Sequence, residues 1–428
     1  MNIYFLTLLV GLVTGAQDVE LSVGPNVAAI ELKLDGAAIS HLASPPWKAR
    51  VDFGANLRPH RLDALAFDAD GVQLGQATQY VNLPRPGQQA ALGLVEDERG
   101  RPRALRVSWA SVGDAKPKSI EVEVDGVALD ATDPNRVRLP SLHERDVHVA
   151  RARVRFSDSI VAKTELVFGG SNVMSSDVEL TAIPLALAST ATPDPGALRG
   201  IVEVGGQPVE LRALEAGPVN LVIVRDETLD VLPPAWAQRL AFLRKSTALN
   251  GLPNGSQVRV LDPHPVTPNR ARPRERVFDV SRPLPTASTS VVDVLLATPP
   301  ADPARGAQAL GEAVAVAAQI AAQDDRPRAV VLVMDRVGPD ASVYPVEEVR
   351  RYLSRLAVPL VVWSFRGAPG DWGATTKLSS DDDLREAWLH LLGELGRQRI
   401  AWVAGSHLPE AFGIRASAKA KEVRIAGR

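Results

Sequence analysis

The chain of 428 residues contains no cysteine, which excludes disulfide bonds, thiolate metal sites, cysteine nucleophiles and any disulfide-linked partner, whatever the compartment. It also lacks Gly-x-Ser-x-Gly, a phosphate-binding loop and His-Glu-x-x-His, and its seven histidines are scattered, so a non-catalytic protein is expected. Neither sign of charge is in excess. A formal net charge of −2 gives no electrostatic reason to hold a polyanion, and no nucleic acid partner is expected. Beyond the first sixteen residues no apolar run approaches the ~20 residues that span a bilayer, so no stable membrane insertion is expected.

What is present begins with length. A single core stops growing at roughly 250 to 300 residues, so more than one domain is expected. The 33 prolines favour many turns and short strands over long helices. Met1–Ala16 carries an apolar stretch, Ile3 to Val13, followed by the small residues Thr14-Gly15-Ala16. Too short to stay in a bilayer, it reads as a cleaved export signal with Gln17 as the new N-terminus, against the alternative of a buried first strand. Export to the periplasm or the extracellular space is then expected.

Two segments of the N-terminal half resemble each other. The first runs Ile30 to Gly36, Trp47 to Phe53, Pro59 to Gly71 and Tyr80 to Pro84; the second runs Ile120 to Gly126, Val137 to Pro140, Asp146 to Asp158 and Lys163 to Phe168. Alternating strands joined by Asp-Gly turns predict Ig-like β-sandwiches, one over 18–115 and one over 116–215. His60 and His148 hold matching places, where turn stabilisation or packing is the expected role. Val202 to Val209 echoes the pattern as an added hairpin.

From about Ala216 strands alternate with helices. Strands are expected at Val219–Val224, Gln257–Leu261, Val277–Val280, Val291–Ala297, Ala329–Met334, Val358–Trp363 and Arg399–Val403, and helices at Pro233–Leu249, Arg305–Gln323, Pro345–Leu356 and Asp382–Arg397. Ser379 to Asp383 reads as the cap of the last helix, which is a simpler role for Asp381 than pairing with Asp335 as hydrolase carboxylates. Ala416–Arg428 is basic and reads as a tail or edge strand. Asp335 and Asp226 each close an apolar strand, and ligands of open α/β sheets bind outside the carboxyl ends of strands. If those strands are neighbours, the acids converge, and Asp226, Thr228, Asp230 and Asp335 would offer the oxygen donors that Mg²⁺, Ca²⁺ or Mn²⁺ prefers.

This arrangement resembles the von Willebrand factor A-type domain, whose metal-dependent adhesion site begins Asp-x-Ser-x-Ser after the first strand. The resemblance covers about 216–410, with Asp226, Thr228 and Asp230 in the motif and Val330 to Asp335 followed by Pro345 to Val362 as strand, aspartate, helix and strand. The family's threonine ahead of the next helix falls near Gln308, and Arg225 and Arg336 flank the two aspartates, where they could neutralise them without an ion. With a leader and tandem β repeats, the chain looks like exported bacterial proteins related to this family. The resemblance implies a multidomain protein: all-β Ig-like sandwich repeats followed by an α/β doubly wound, Rossmann-like domain over 216–410 and a basic tail over 411–428. It also implies adhesion to a protein or cell-envelope component, with a metal-free envelope scaffold and an unrecognised hydrolase as the rival readings.

Overall fold

The computed structural model describes residues 3–24, 26–84, 88–97, 101–111, 116–143, 147–156, 161–169, 180–231, 238, 240, 242–266, 276–297, 307–366, 370–416 and 422–428. The chain divides into two compact units, residues 1–56 with 60–177 and residues 57–59 with 178–428. Among the described residues no helix is long and apolar enough to cross a membrane.

The first unit holds two β-sandwiches, each made of a three-stranded and a four-stranded antiparallel sheet. In the first, Ile3–Phe5, Ala16–Val23 and Lys48–Asp52 face Ala29–Leu34, Ala37–Leu42, His60–Phe67 and Gln73–Val81. Period-2 alternation drives the packing: Ile30 and Leu32 are fully buried, while Glu31 between them and Lys33 after them are not. In the second, Gln88–Glu96, Pro102–Ser111 and Val137–Arg138 face Ser119–Val124, Val127–Leu129, Val147–Arg155 and Val161–Gly169, over a core that includes Leu105, Val122, Ala150 and Val154. The boundary expected at 115/116 therefore moves back to between Val81 and Gln88. Pro102–Ser111 pairs forward with Val137–Arg138, a partnership local patterning does not show.

Residues 3–15 correct the reading of a removable leader, because they are part of the first core. Ile3–Phe5 pairs with Leu21–Val23, and Ile3, Phe5, Leu9 and Val13 lie among the buried residues of the sandwich. The Leu9 amide donates to Gln79 Oε1 at 2.6 Å and the Val13 amide to Asn82 Oδ1 at 2.7 Å, while Asn82 Nδ2 donates back to the Val13 carbonyl at 2.7 Å. Buried amides need such partners. An apolar run of this length fits a core segment as well as it fits a leader.

The repeat holds down to single atoms. Asp35 and Asp125 both adopt left-handed backbone conformations, φ 53° and 50°, ahead of a glycine, as a tight hairpin turn requires. Asp35 accepts the Arg61 amide at 2.9 Å and faces His60 Nδ1 at 2.8 Å; Asp125 accepts the Val149 amide at 2.8 Å and faces His148 Nδ1 at 2.7 Å. Both histidines thus staple an Asp-Gly turn to the next strand.

The second unit contains a third sandwich and the α/β domain. Leu180–Leu187, Leu211–Glu215, Gln398–Ala404 and Val423–Ile425 form one sheet; Val202–Val204, Gln207–Pro208 and Phe412–Ile414 form the other. Three expectations change here. Residues 180–215 do not finish the second repeat, Gln398–Ala404 is not the last strand of the α/β sheet, and part of the expected tail is a strand with Val423 and Ile425 buried. Residues 417–421 of that tail lie outside the described residues. The α/β domain is inserted between the strands of this sandwich.

Its six strands are β1 (Asn220–Arg225), β2 (Gln257–Val266), β3 (Val277–Val280), β4 (Arg328–Met334), β5 (Leu360–Ser364) and β6 (Thr375–Lys377), in the order β3-β2-β1-β4-β5-β6. All pairs are parallel except the edge pair β2 with β3. This is the doubly wound order, whose direction of winding reverses between β1 and β4. The helices are α1 (Val291–Leu296), α2 (Leu310–Ala321), α3 (Val346–Arg355) and α4 (Asp381–Gly396). The strand expected at Val291–Ala297 is α1. Ser290 accepts the Asp293 amide and Asp293 accepts the Ser290 amide, a capping box that fixes a helix start against the β-propensity of Val-Val. A second box, Ser380 with Asp383, starts α4 as the sequence suggests. Of the helix expected at Pro233–Leu249, residues 233–237, 239 and 241 lie outside the described residues, and 242–247 form turns.

Candidate metal centre

β1 and β4 are hydrogen-bonded neighbours, with Arg225 opposite Val333 and the Asp226 amide donating to the Val333 carbonyl at 2.9 Å. Asp226 and Asp335 therefore leave the sheet side by side at the switch point, which meets the condition on which their convergence depended. Both are completely buried. Asp226 Oδ1 accepts the Thr228 amide at 2.7 Å in a tight turn, while Asp226 Oδ2 and both Asp335 carboxylate oxygens are buried without a hydrogen bond among the described residues. Thr228 Oγ1 accepts the Asp335 amide at 3.0 Å, so the hydroxyl ties the β1 loop to the β4 loop. The Asp230 backbone lies in the short 3₁₀ turn Glu227–Val231, but its side chain is outside what is described.

Gln308, just ahead of α2, stands where the family resemblance places a threonine. Its Oε1 accepts the Glu227 amide at 3.4 Å and its Nε2 donates to the Pro339 carbonyl at 2.9 Å. The loop after β4 closes over the site. A Cβ on Gly338 would come within 2.9 Å of Thr228 Cγ2 and 3.4 Å of Gln308 Nε2, so only glycine fits there. The same loop caps α2, with Asp340 accepting the Leu310 amide and Ser342 the Gly311 amide. It presents Val337 and Val343 to solvent, 63% and 72% exposed.

The charge that answers Asp335 differs from the one expected. Arg225 turns away, its Nε donating to the Leu295 carbonyl, and Arg336 is exposed. Arg366, two residues beyond β5, places Nε 3.4 Å from Asp335 Oδ1, long for a hydrogen bond but close enough for an ion pair. Sequence reading also missed His264, buried between Asp262 Oδ1 at 2.7 Å and Glu227 Oε2 at 3.1 Å. The signal was available in Asp262-Pro263-His264, an acid and a histidine two apart on one face of β2, beside the motif strand.

Two buried carboxylates and a hydroxyl make an oxygen-rich donor set, and the orphaned oxygens of Asp226 and Asp335 are what a hard cation would satisfy. Among the described residues no three acidic or histidine side chains form a complete cage, so water or a partner's oxygen would fill the remaining positions.

Burial pushes the Asp226 carboxyl above the ordinary carboxylate range and the Glu227 charge adds to this, while the Thr228 and Gln308 hydrogen bonds oppose it. The folded carboxyl holds its proton more tightly than the unfolded one, so the contribution of Asp226 to stability falls as pH rises through the raised pKa. In chelator near neutral pH, Asp226→Asn is expected to stabilise the domain by ~1–3 kcal/mol and to flatten that pH dependence. Denaturant titrations across the acidic range measure both.

No family model matches the chain, and no curated protein matches it. Parts of it are similar to solved structures. Fibronectin(III)-like modules of Clostridium thermocellum CbhA are 10% identical over 18% of this chain and 92% of that one, with a TM-score of 0.17. Proximal thread matrix protein 1 from the mussel byssus, solved with a zinc-occupied MIDAS motif, is 15% identical over 43% of this chain and 49% of that one, at 0.29. The central fibronectin-III array of RIM-binding protein is 12% identical over 46% and 81%, at 0.19. At these scores the likenesses add nothing to what the strand order shows.

Proposed function

We propose that this is a non-catalytic interaction protein whose α/β domain captures a protein or cell-envelope component at the carboxyl end of its sheet, with a divalent cation such as Mg²⁺, Mn²⁺ or Ca²⁺ held at the switch point. The observation that carries this reading is the pair of completely buried aspartates, Asp226 and Asp335, with three carboxylate oxygens left unsatisfied beneath an exposed loop. A buried carboxylate without hydrogen bonds is costly even beside the single charge of Arg366, and a bound cation would offset that cost. When bound, a cation would offer an open position to an acidic side chain of the partner. Asp226 and Asp335 hold it, Thr228 keeps the two loops in register, and Val337 and Val343 supply apolar contact around it. His264 speaks against acid–base chemistry at this mouth, because both of its ring nitrogens are committed to carboxylates.

The test is thermal unfolding of the full chain in chelator and in Mg²⁺, Mn²⁺ or Ca²⁺. A cation at 100 times its dissociation constant should stabilise by about 2.7 kcal/mol, and Asp226→Ala and Asp335→Ala should each abolish the shift. An unshifted parent protein overturns the cation reading. The metal-free scaffold is the second reading, favoured by Arg366, which already brings a positive charge to Asp335.

A further inference from the structure

We infer that Arg366 is a built-in competitor for the cation position: its guanidinium and a divalent ion are alternative occupants of the Asp335 carboxylate, so the ion binds only as Arg366 swings away. The inference rests on the proposed cation site and adds a residue that sets its affinity. Geometry delivers the guanidinium reliably. Beyond the last β4–β5 pair the backbone pairing continues, with the Phe365 amide donating to the Met334 carbonyl and the Arg366 amide to the Asp335 carbonyl, both at 3.2 Å. Ser364 Oγ donates to the same Asp335 carbonyl at 3.2 Å. The Arg366 backbone is therefore anchored over the acid it neutralises, and its Nε faces Asp335 Oδ1 at 3.4 Å.

The two partners differ in what release costs. Asp335 is wholly buried, whereas the Arg366 side chain is 45% exposed and can return to water without moving the sheet. A guanidinium and a divalent ion at contact distance from one carboxylate repel each other, and the repulsion grows in the low-dielectric crevice. With no ion present, Arg366 shields Asp335 from the cost of an unpaired buried charge. A divalent ion, carrying twice the charge and reaching Asp226 as well, displaces it.

The experiment is direct Mn²⁺ binding to the full chain, followed by the loss of free-ion signal in electron paramagnetic resonance, for the parent, Arg366→Gln, Arg366→Met and Asp335→Asn. Unfolding of the same proteins and of the double variant Arg366→Gln/Asp335→Asn is measured in chelator. Removing the competitor is expected to tighten Mn²⁺ binding about tenfold, the equivalent of ~1.4 kcal/mol, in both Arg366 variants, while Asp335→Asn loses the site. In chelator, Arg366→Gln should lower the melting temperature in the Asp335 background and leave it unchanged in the Asp335→Asn background. Equal Mn²⁺ affinity in the parent and both Arg366 variants overturns the competition and leaves the cation site standing. Mn²⁺ bound by none of them overturns the cation reading itself, and this inference with it.

Discussion

A chain lacking residues 1–15 should fail to fold its first sandwich. Ile3, Phe5, Leu9 and Val13 are all buried in that core, and each large apolar side chain removed from water contributes roughly 1.5–3 kcal/mol. The deletion also strips the pairing partner from Leu21–Val23 and leaves Gln79 and Asn82, both buried, without the backbone groups they bond. Their sum, on the order of 5 kcal/mol or more, rivals the total stability of an ordinary domain. Deuterium exchange resolves the result by segment. Strands within 29–81 should lose protection in the truncated chain, while those of the α/β domain keep theirs. A truncated protein with unchanged protection across 29–81 would mean that the segment is dispensable and would restore the leader reading.

Trp388→Ala should produce the next largest effect, a loss of ~3–5 kcal/mol confined to the α/β domain. Trp388 is 1% exposed on the buried face of α4, in line with Leu384, Leu391 and Leu395. It belongs to the core that also takes Trp363 of β5, Val331 and Val333 of β4 and Val291 of α1. Such a core is close-packed, so truncating its largest side chain leaves a cavity that the neighbours fill only in part. Differential scanning calorimetry should show one transition moving down by several degrees while transitions belonging to the first unit stay fixed. Leu389, one residue on and 55% exposed, is the control: Leu389→Ala should shift nothing by more than ~0.5 kcal/mol.

How much of this was legible in the sequence depended on the range of the interactions. Period-2 alternation and Asp-Gly turns are local signals, and they placed the Asp-Gly hairpins of the first unit together with the matched histidines, but not the hairpin of Gln88–Glu96 with Pro102–Ser111. The apolar runs ending in Asp226 and Asp335 likewise marked buried strands of a parallel sheet, while their adjacency, open in the sequence, came from the structure. Pairing across long separations carried no such signal. Leu180–Leu187 lies beside Gln398–Ala404 with the whole α/β domain between them in sequence, and nothing in either strand names the other. Val291–Leu296 misled for a different reason: six residues rich in valine satisfy strand and helix patterns alike, and the capping box at Ser290 decided the outcome. At the candidate site the carboxylates were visible because they end strands. Arg366 was not, because residues adjacent in sequence to Asp226 and Asp335 drew attention from one that reaches Asp335 across β5.

The insertion of the α/β domain into the third sandwich has a topological consequence. Glu215, where the chain leaves the sandwich, is the registered partner of Ile400, where it returns. The two ends of the inserted domain are therefore held on neighbouring strands of the sandwich, a pairing that lowers the loop-closure entropy the insert's own contacts must offset. Tension along the chain passes from Leu211–Glu215 to Gln398–Ala404 through the ladder between them and bypasses the insert. The insert is thus a closed excursion between two adjacent strands, and it rests on them as well: Ala357 lies in the sandwich core, and Gln398 bonds both the amide and the carbonyl of Arg328 at the far end of β4 from Asp335.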